Sequence, residues 1–229
     1  MFKNILNAVT VVCLLMPVAF TGCEQKPDTG GLARVSPEFT QPVKGTIVAV
    51  GDSLTAGLGV DENLAYPSLL QKRLAADGHF LKVVNAGISG ETSSGTLSRI
   101  NWVISSLKPD MIILVIGAND GLRGIDPNLL KKNLDQIITL LKEKHIRIIL
   151  GGMKMLPNYG PKYTKEFARV YPEIADKHRI PLIPFFLEGV AGEIKLNQPD
   201  GIHPTARGYK ILVDHIYPHV LDAVLKLGS

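Results

Sequence analysis

The sequence predicts an α/β domain, a three-layer α/β/α sandwich around a parallel sheet, and three observations carry that expectation. From residue 45 onward, short apolar runs alternate with longer amphipathic stretches, the pattern of strands joined by helical crossovers. Each run is nearly continuous in Val, Ile or Leu rather than alternating, which suits strands buried on both faces of a sheet. No internal repeat or linker interrupts the region, so a single domain is expected over residues 45–229.

In chain order, the strands are predicted at 46–50, 81–86, 111–116, 146–150 and 182–186. Helices are predicted between and after them, at about 67–77, 94–107, 127–144, 162–178 and 205–226. The third helix shows its period most clearly. Leu129, Leu130, Leu134, Ile137, Ile138 and Leu141 recur at helical spacing against a Lys-rich opposite face. Ser93 and Ser94 are expected to begin the second helix, where serine commonly caps. Right-handed crossovers between parallel strands then place helices on both faces of the sheet.

Composition excludes several classes. The chain has 229 residues, 45% of them apolar and 20% charged, which rules out a disordered, collagen-like or coiled-coil chain. Its formal charge of +4 is small and its basic residues are scattered, which argues against a nucleic-acid binder.

The N-terminus differs from the remainder. Lys3, an apolar run from Ile5 to Phe20, and the small residues Thr21 and Gly22 have the layout of a secretory signal over residues 1–22. The run is broken by Pro17 and is shorter than the roughly 20 residues a bilayer core requires. Phe20-Thr21-Gly22-Cys23 resembles a bacterial lipobox, which implies lipidation of Cys23. The only other cysteine, Cys13, would leave with the signal, so neither a disulfide nor a cysteine-based metal site is expected. Residues 23–44, with Pro27, Gly30, Gly31, Pro37 and Pro42 and no apolar period, are expected to form a flexible tether. The expected setting is the bacterial cell envelope, lipid-anchored to a membrane and facing the periplasm or the exterior.

In a parallel sheet with crossover helices, functional residues collect beyond the C-terminal ends of the strands. Gly51-Asp52-Ser53-Leu54 follows the first run, Gly87-Ile88-Ser89-Gly90 the second, and Gly117-Ala118-Asn119-Asp120 the third. Gly151-Gly152-Met153 follows the fourth, and Asp200-Gly201-Ile202-His203-Pro204 lies on a long loop after the fifth. Acyl transfer requires a nucleophile, a base, a carboxylate to orient the base, and donors for an oxyanion. Ser53, His203 and Asp200 are candidates for the first three. The Ser53 and Gly90 backbone N–H groups and the Asn119 amide are candidates for the fourth. Each fragment alone reads equally well as a turn. Their conjunction, in order and at one end of successive strands, favours a site. Ser89, Ser93 and Ser94 have no base partner arguable from sequence; His79, His145 and His178 are expected near element ends, exposed or at a helix terminus, and His215 and His219, at the spacing of metal ligands but without an intervening Glu, are expected to be solvated. Leu122, Ile125, Leu156, Pro157 and Tyr159, on rim loops, are candidates to line an acyl groove or else to plug the domain's own core.

The blocks Gly51-Asp52-Ser53-Leu54, Gly90, Gly117-Ala118-Asn119-Asp120 and Asp200-Gly201-Ile202-His203 resemble those of the SGNH (GDSL) hydrolase family. The likeness spans residues 46–221. Asn85-Ala86-Gly87-Ile88-Ser89-Gly90-Glu91-Thr92, Asn119-Asp120-Gly121-Leu122-Arg123-Gly124, Leu156-Pro157-Asn158-Tyr159-Gly160 and Pro184-Phe185-Phe186 are most similar to its bacterial thioesterase/lysophospholipase/arylesterase branch. That branch carries a basic residue where this chain has Met155, and its members are usually not lipid-anchored. The resemblance implies a flavodoxin-like sheet in the order 2-1-3-4-5 and a serine esterase without cofactor or metal. It implies Ser53 as nucleophile, Asp200 and His203 as its partners, and Ser53, Gly90 and Asn119 around the oxyanion. The implied substrates are acyl esters or thioesters. Two other functions fit the same residues: a carbohydrate deacetylase, and an envelope lipoprotein that binds without turnover.

Overall fold

The computed structural model describes residues 42–155 and 159–227. The expected signal segment, Cys23 and the tether up to residue 41 lie outside the described residues, as do Leu156 and Pro157. The strands are β1 (Thr46–Gly51), β2 (Lys82–Gly87), β3 (Met111–Val115), β4 (Arg147–Gly151) and β5 (Leu182–Ile183). They form one sheet in the order β2-β1-β3-β4-β5 with every neighbouring pair parallel, the 2-1-3-4-5 arrangement expected. The helices are α1 (Ser53–Ala56), α2 (Tyr66–Ala76), α3 (Ser93–Leu107), α4 (Ala118–Leu122), α5 (Pro127–Glu143), α6 (Gly160–His178) and α7 (Ala206–Leu225). α3, α5 and α6 pack side by side, as do α2 and α7, and these two sets are the outer layers of the sandwich.

The apolar runs become strands because two layers of helix cover them. Ile47 to Val50 of β1 and Met111 to Val115 of β3 are buried throughout, as central strands with no solvent face must be. β2, at an edge, is only half-buried. On α5, Leu130, Leu134, Ile137, Ile138 and Leu141 form the buried stripe, each contributing about 1.5–3 kcal/mol relative to exposure. Asp126 caps that helix by accepting from the Asn128 N–H, with Pro127 in its first turn.

Several local expectations change. The last strand is two residues long rather than five: Pro184 has no N–H to give the sheet, and Phe186 N–H instead donates to Gly152 O at 2.8 Å. Leu129 lies one position off the α5 stripe and is exposed. Ser93 does not cap α3. Thr92 precedes the helix without a side-chain cap, and the buried Ser93 hydroxyl is committed to Asp120 at 2.5 Å. His178 ends α6 as expected, but it is buried rather than exposed, its Nε2 meeting Asp135 Oδ1 at 2.6 Å and tying α6 to α5. Hydrogen bonds from Lys177 and His178 hold the Asp135 carboxyl below its usual pKa. His215 is half-buried and bonded to Phe185 O at 3.0 Å.

Topology fixes where a site can form. The chain moves from β1 to β2 on one side and returns past β1 to β3 on the other. The loops after β1 and β3 therefore diverge and open a crevice at the C-terminal edge of the sheet.

Candidate active site

Ser53 owes its position to a strand ending in a one-turn helix. β1 stops at Gly51, and Asp52 caps α1 by accepting from Leu54 N–H at 3.0 Å. Ser53 opens α1, and Gly57, at φ +79°, closes it after one turn. The turn is packed onto β2 so tightly that a Cβ on Gly87 would run into the α1 backbone at Ala56. The serine hydroxyl is thus held at the rim on a rigid support, almost but not wholly covered.

The second component comes from the loop before α7. His203 Nε2 lies 2.8 Å from Ser53 Oγ, across a sequence separation of 150 residues. His203 Nδ1 lies 2.7 Å from Asp200 Oδ2. The other carboxylate oxygen, Oδ1, accepts the backbone N–H groups of Ile202 and His203, each at 3.0 Å. The Ile202 N–H, then the His203 ring and its own N–H, hold the Asp200 pKa down to about 2. A carboxylate ionised this firmly only accepts, so the proton on the ring belongs to Nδ1 and Nε2 is free to accept from the Ser53 hydroxyl. The three residues expected from sequence are in line.

Asn119, in α4, donates through Nδ2 to Glu91 O at 3.0 Å and more weakly to Asp52 Oδ2 at 3.4 Å. Its amide therefore sits between the residue after Gly90 and the residue before Ser53. Gly90 has φ +79°, a conformation that side-chain-bearing residues rarely adopt. Among the described residues neither Ser53 N–H nor Gly90 N–H has an acceptor. Both donors are unspent, as receiving a developing oxyanion requires.

Other residues were not legible from spacing. Glu91 and Arg99 form a largely buried ion pair, with Arg99 Nε and Nη2 each 2.6 Å from a Glu91 carboxylate oxygen. Arg99 also donates to Ala86 O at 2.8 Å and Thr96 Oγ1 to Glu91 at 2.8 Å, so the segment bearing Gly90 is anchored to the end of β2 and to α3. Buried Asp120 accepts from the backbone and hydroxyl of Ser93, and Asn133 Nδ2 donates to the hydroxyls of Ser93 and Ser94, both at 2.9 Å. This fixes α4, and hence Asn119, against α3 and α5. It also commits two of the three competing serines, and among the described residues none of the three meets a histidine. Burial pushes the Asp52 carboxyl up to about 6, against the opposing pull of the Leu54 N–H and of His203.

Of the candidates for an acyl groove, Leu122 and Tyr159 are exposed at the rim and joined by Tyr159 Oη donating to Leu122 O at 2.9 Å. Ile125 is half-buried, its carbonyl taken by Tyr163 Oη at 2.8 Å.

The GDSL-like Lipase/Acylhydrolase family model matches residues 49–211. The chain is similar to Esterase TesA of Pseudomonas aeruginosa, 42% identical over 173 residues that cover 76% of this chain and 86% of the relative. It is similar to Thioesterase 1/protease 1/lysophospholipase L1 of Escherichia coli K12, 34% identical over 176 residues, 77% of this chain and 83% of that one. Among solved structures it resembles AlinE4, an SGNH-hydrolase family esterase, with a TM-score of 0.68 and 41% identity, covering 80% of this chain and 98% of the other.

Proposed function

Because the chain belongs to the GDSL-like lipase/acylhydrolase family and is a serine ester hydrolase, we propose that Ser53, His203 and Asp200 are its catalytic residues and Ser53, Gly90 and Asn119 its oxyanion hole. The observation that carries this assignment is the line of hydrogen bonds from Ser53 Oγ through His203 to Asp200, at 2.8 and 2.7 Å. Ser53 Oγ attacks the carbonyl carbon of an acyl ester or thioester while His203 Nε2 takes its proton. Asp200 keeps the imidazole oriented and balances the imidazolium that forms. The oxyanion is received by the Ser53 and Gly90 N–H groups and by the Asn119 N–H now held only weakly by Asp52 Oδ2 at 3.4 Å, one such donor contributing about 2.7–4 kcal/mol. His203 then returns the proton to the leaving alcohol or thiol. The acyl-enzyme is cleared by a water molecule that the same histidine deprotonates.

Leu122, Ile125 and Tyr159, with Leu156 and Pro157 beside them in the chain, are proposed to hold the acyl chain. A series of p-nitrophenyl esters of increasing acyl length tests this. Activity is expected to extend to chains well beyond acetyl; activity confined to acetate would exclude the groove and point to deacetylation.

Cys23 is proposed to carry a lipid anchor that holds the enzyme in the bacterial envelope, facing the periplasm or exterior, on the strength of the preceding Phe20-Thr21-Gly22. The protein isolated from a bacterial host should then enter the detergent phase and Cys23→Ser the aqueous phase; equal aqueous partitioning of both would dismiss the anchor.

A further inference from the structure

We propose that Gln198 is a positioning residue that sets the separation of the nucleophile and its base. The assignment rests on Ser53 and His203 having the roles given above.

Gln198 stands two residues before Asp200; its backbone groups hold the base loop and its side-chain Nε2 crosses the seam to the nucleophile's loop. Its backbone N–H donates to His203 O at 2.7 Å and its carbonyl accepts from Gly201 N–H at 2.9 Å, closing the base loop on itself. Its side-chain Nε2 donates to Pro204 O at 3.0 Å and, across 140 residues of sequence, to Leu58 O at 2.7 Å. Leu58 belongs to the nucleophile's turn, because its own N–H donates to Ser53 O at 3.1 Å. The result is a closed circuit. Ser53 and His203 are joined on one side by Oγ and Nε2, and on the other through Leu58 and Gln198.

The carboxamide spans the seam where the two loops part. The two loops part to form an open cleft of about 550 Å³ lined by Gly59, Val60, Asp61, Leu64, Gln198 and Ala206, among others. Gly59 faces the Gln198 carboxamide so closely that a Cβ there would overlap it. A second tie, from Tyr209 Oη to Leu54 O at 3.0 Å, joins α7 to α1 but does not touch the loop that carries His203. Without the carboxamide, Leu58 O and Pro204 O would be left to water entering the cleft. The imidazole would then be free to drift from Ser53 Oγ.

The test is the rate at which a small fluorophosphonate labels Ser53, which reads nucleophile–base alignment without requiring an acyl pocket, together with kcat and KM for a p-nitrophenyl ester. Gln198→Ala is expected to slow labelling and lower kcat by about 10- to 100-fold, with KM little changed and the melting temperature near that of wild type. Gln198→Glu keeps the shape but presents a carboxylate to two carbonyl oxygens. Its activity relative to wild type should be low at neutral pH and should rise as the pH falls and the carboxyl regains a proton to donate. Labelling of Gln198→Ala at the wild-type rate overturns the proposal, and so does a Gln198→Glu to wild-type ratio that is flat with pH. The second variant keeps the question answerable if the first does not fold. Failure of the wild type itself to label would instead overturn the catalytic assignment of Ser53.

Discussion

Ser53→Ala is expected to lower ester turnover by about 10⁶-fold, the scale on which loss of a triad nucleophile acts. The expectation follows from the division of labour at the site. With Oγ gone there is no acyl-enzyme, and His203 has no hydroxyl to deprotonate. What remains is the oxyanion hole and substrate binding, which retain about 10³–10⁴ over the reaction in water. Fluorophosphonate labelling should disappear completely. The fold should be unaffected, because among the described residues the only side-chain hydrogen bond of Ser53 is the one to His203. The check is therefore a pair of measurements, turnover and melting temperature. A variant that melts like wild type and still hydrolyses esters at the wild-type rate would refute the nucleophile.

Asp200→Asn is expected to cost about 10⁴-fold in kcat with little change in geometry. The asparagine oxygen can continue to accept from the backbone N–H groups of Ile202 and His203, which now meet Asp200 Oδ1 at 3.0 Å, so the loop should keep its shape. The amide NH₂, however, would face His203 Nδ1, where a carboxylate oxygen now sits at 2.7 Å. It forces Nδ1 to accept and moves the ring proton to Nε2, where it blocks transfer from Ser53. The pH behaviour follows from the same contacts. The Asp200 pKa is lowered from 3.8 to about 2, so its charge is complete above about pH 4. The stability it confers is present there and is lost only as the pH falls through its folded-state value. The kcat deficit of Asp200→Asn should therefore persist across the neutral and mildly acid range, and stability curves for variant and wild type should converge only in strong acid. A deficit of less than tenfold would mean that the carboxylate does not orient the ring.

Much of the site was legible because its parts obey local rules. A buried parallel strand is a continuous apolar run, and functional loops follow its C-terminal end. Gly51-Asp52-Ser53-Leu54, Gly90, Asn119 and the Asp200-to-His203 turn could be found from those two facts. The pairing of Asp200 with His203 is itself local, since the carboxylate, two backbone N–H groups and the ring lie within four residues of chain. Single-turn helices such as α1 and α4 were not legible, because one turn shows no period. The short β5 was overestimated because an apolar run continues past Pro184 while the hydrogen-bond ladder cannot.

The order of strands and helices, the edge at which chemistry gathers and the identity of the residues offered there are all written in the linear chain. The tertiary structure alone decided that Ser53 Oγ meets His203 Nε2, that the Glu91–Arg99 pair anchors the segment bearing Gly90, and that Gln198 spans two loops. It also decided that burial pushes the Asp52 carboxyl up to about 6. The physical reason is common to all four. Hydrogen-bond partners, whether 150 or eight residues apart in the chain, and the loss of water around a buried charge depend on which surfaces are brought together, and no residue spacing records that.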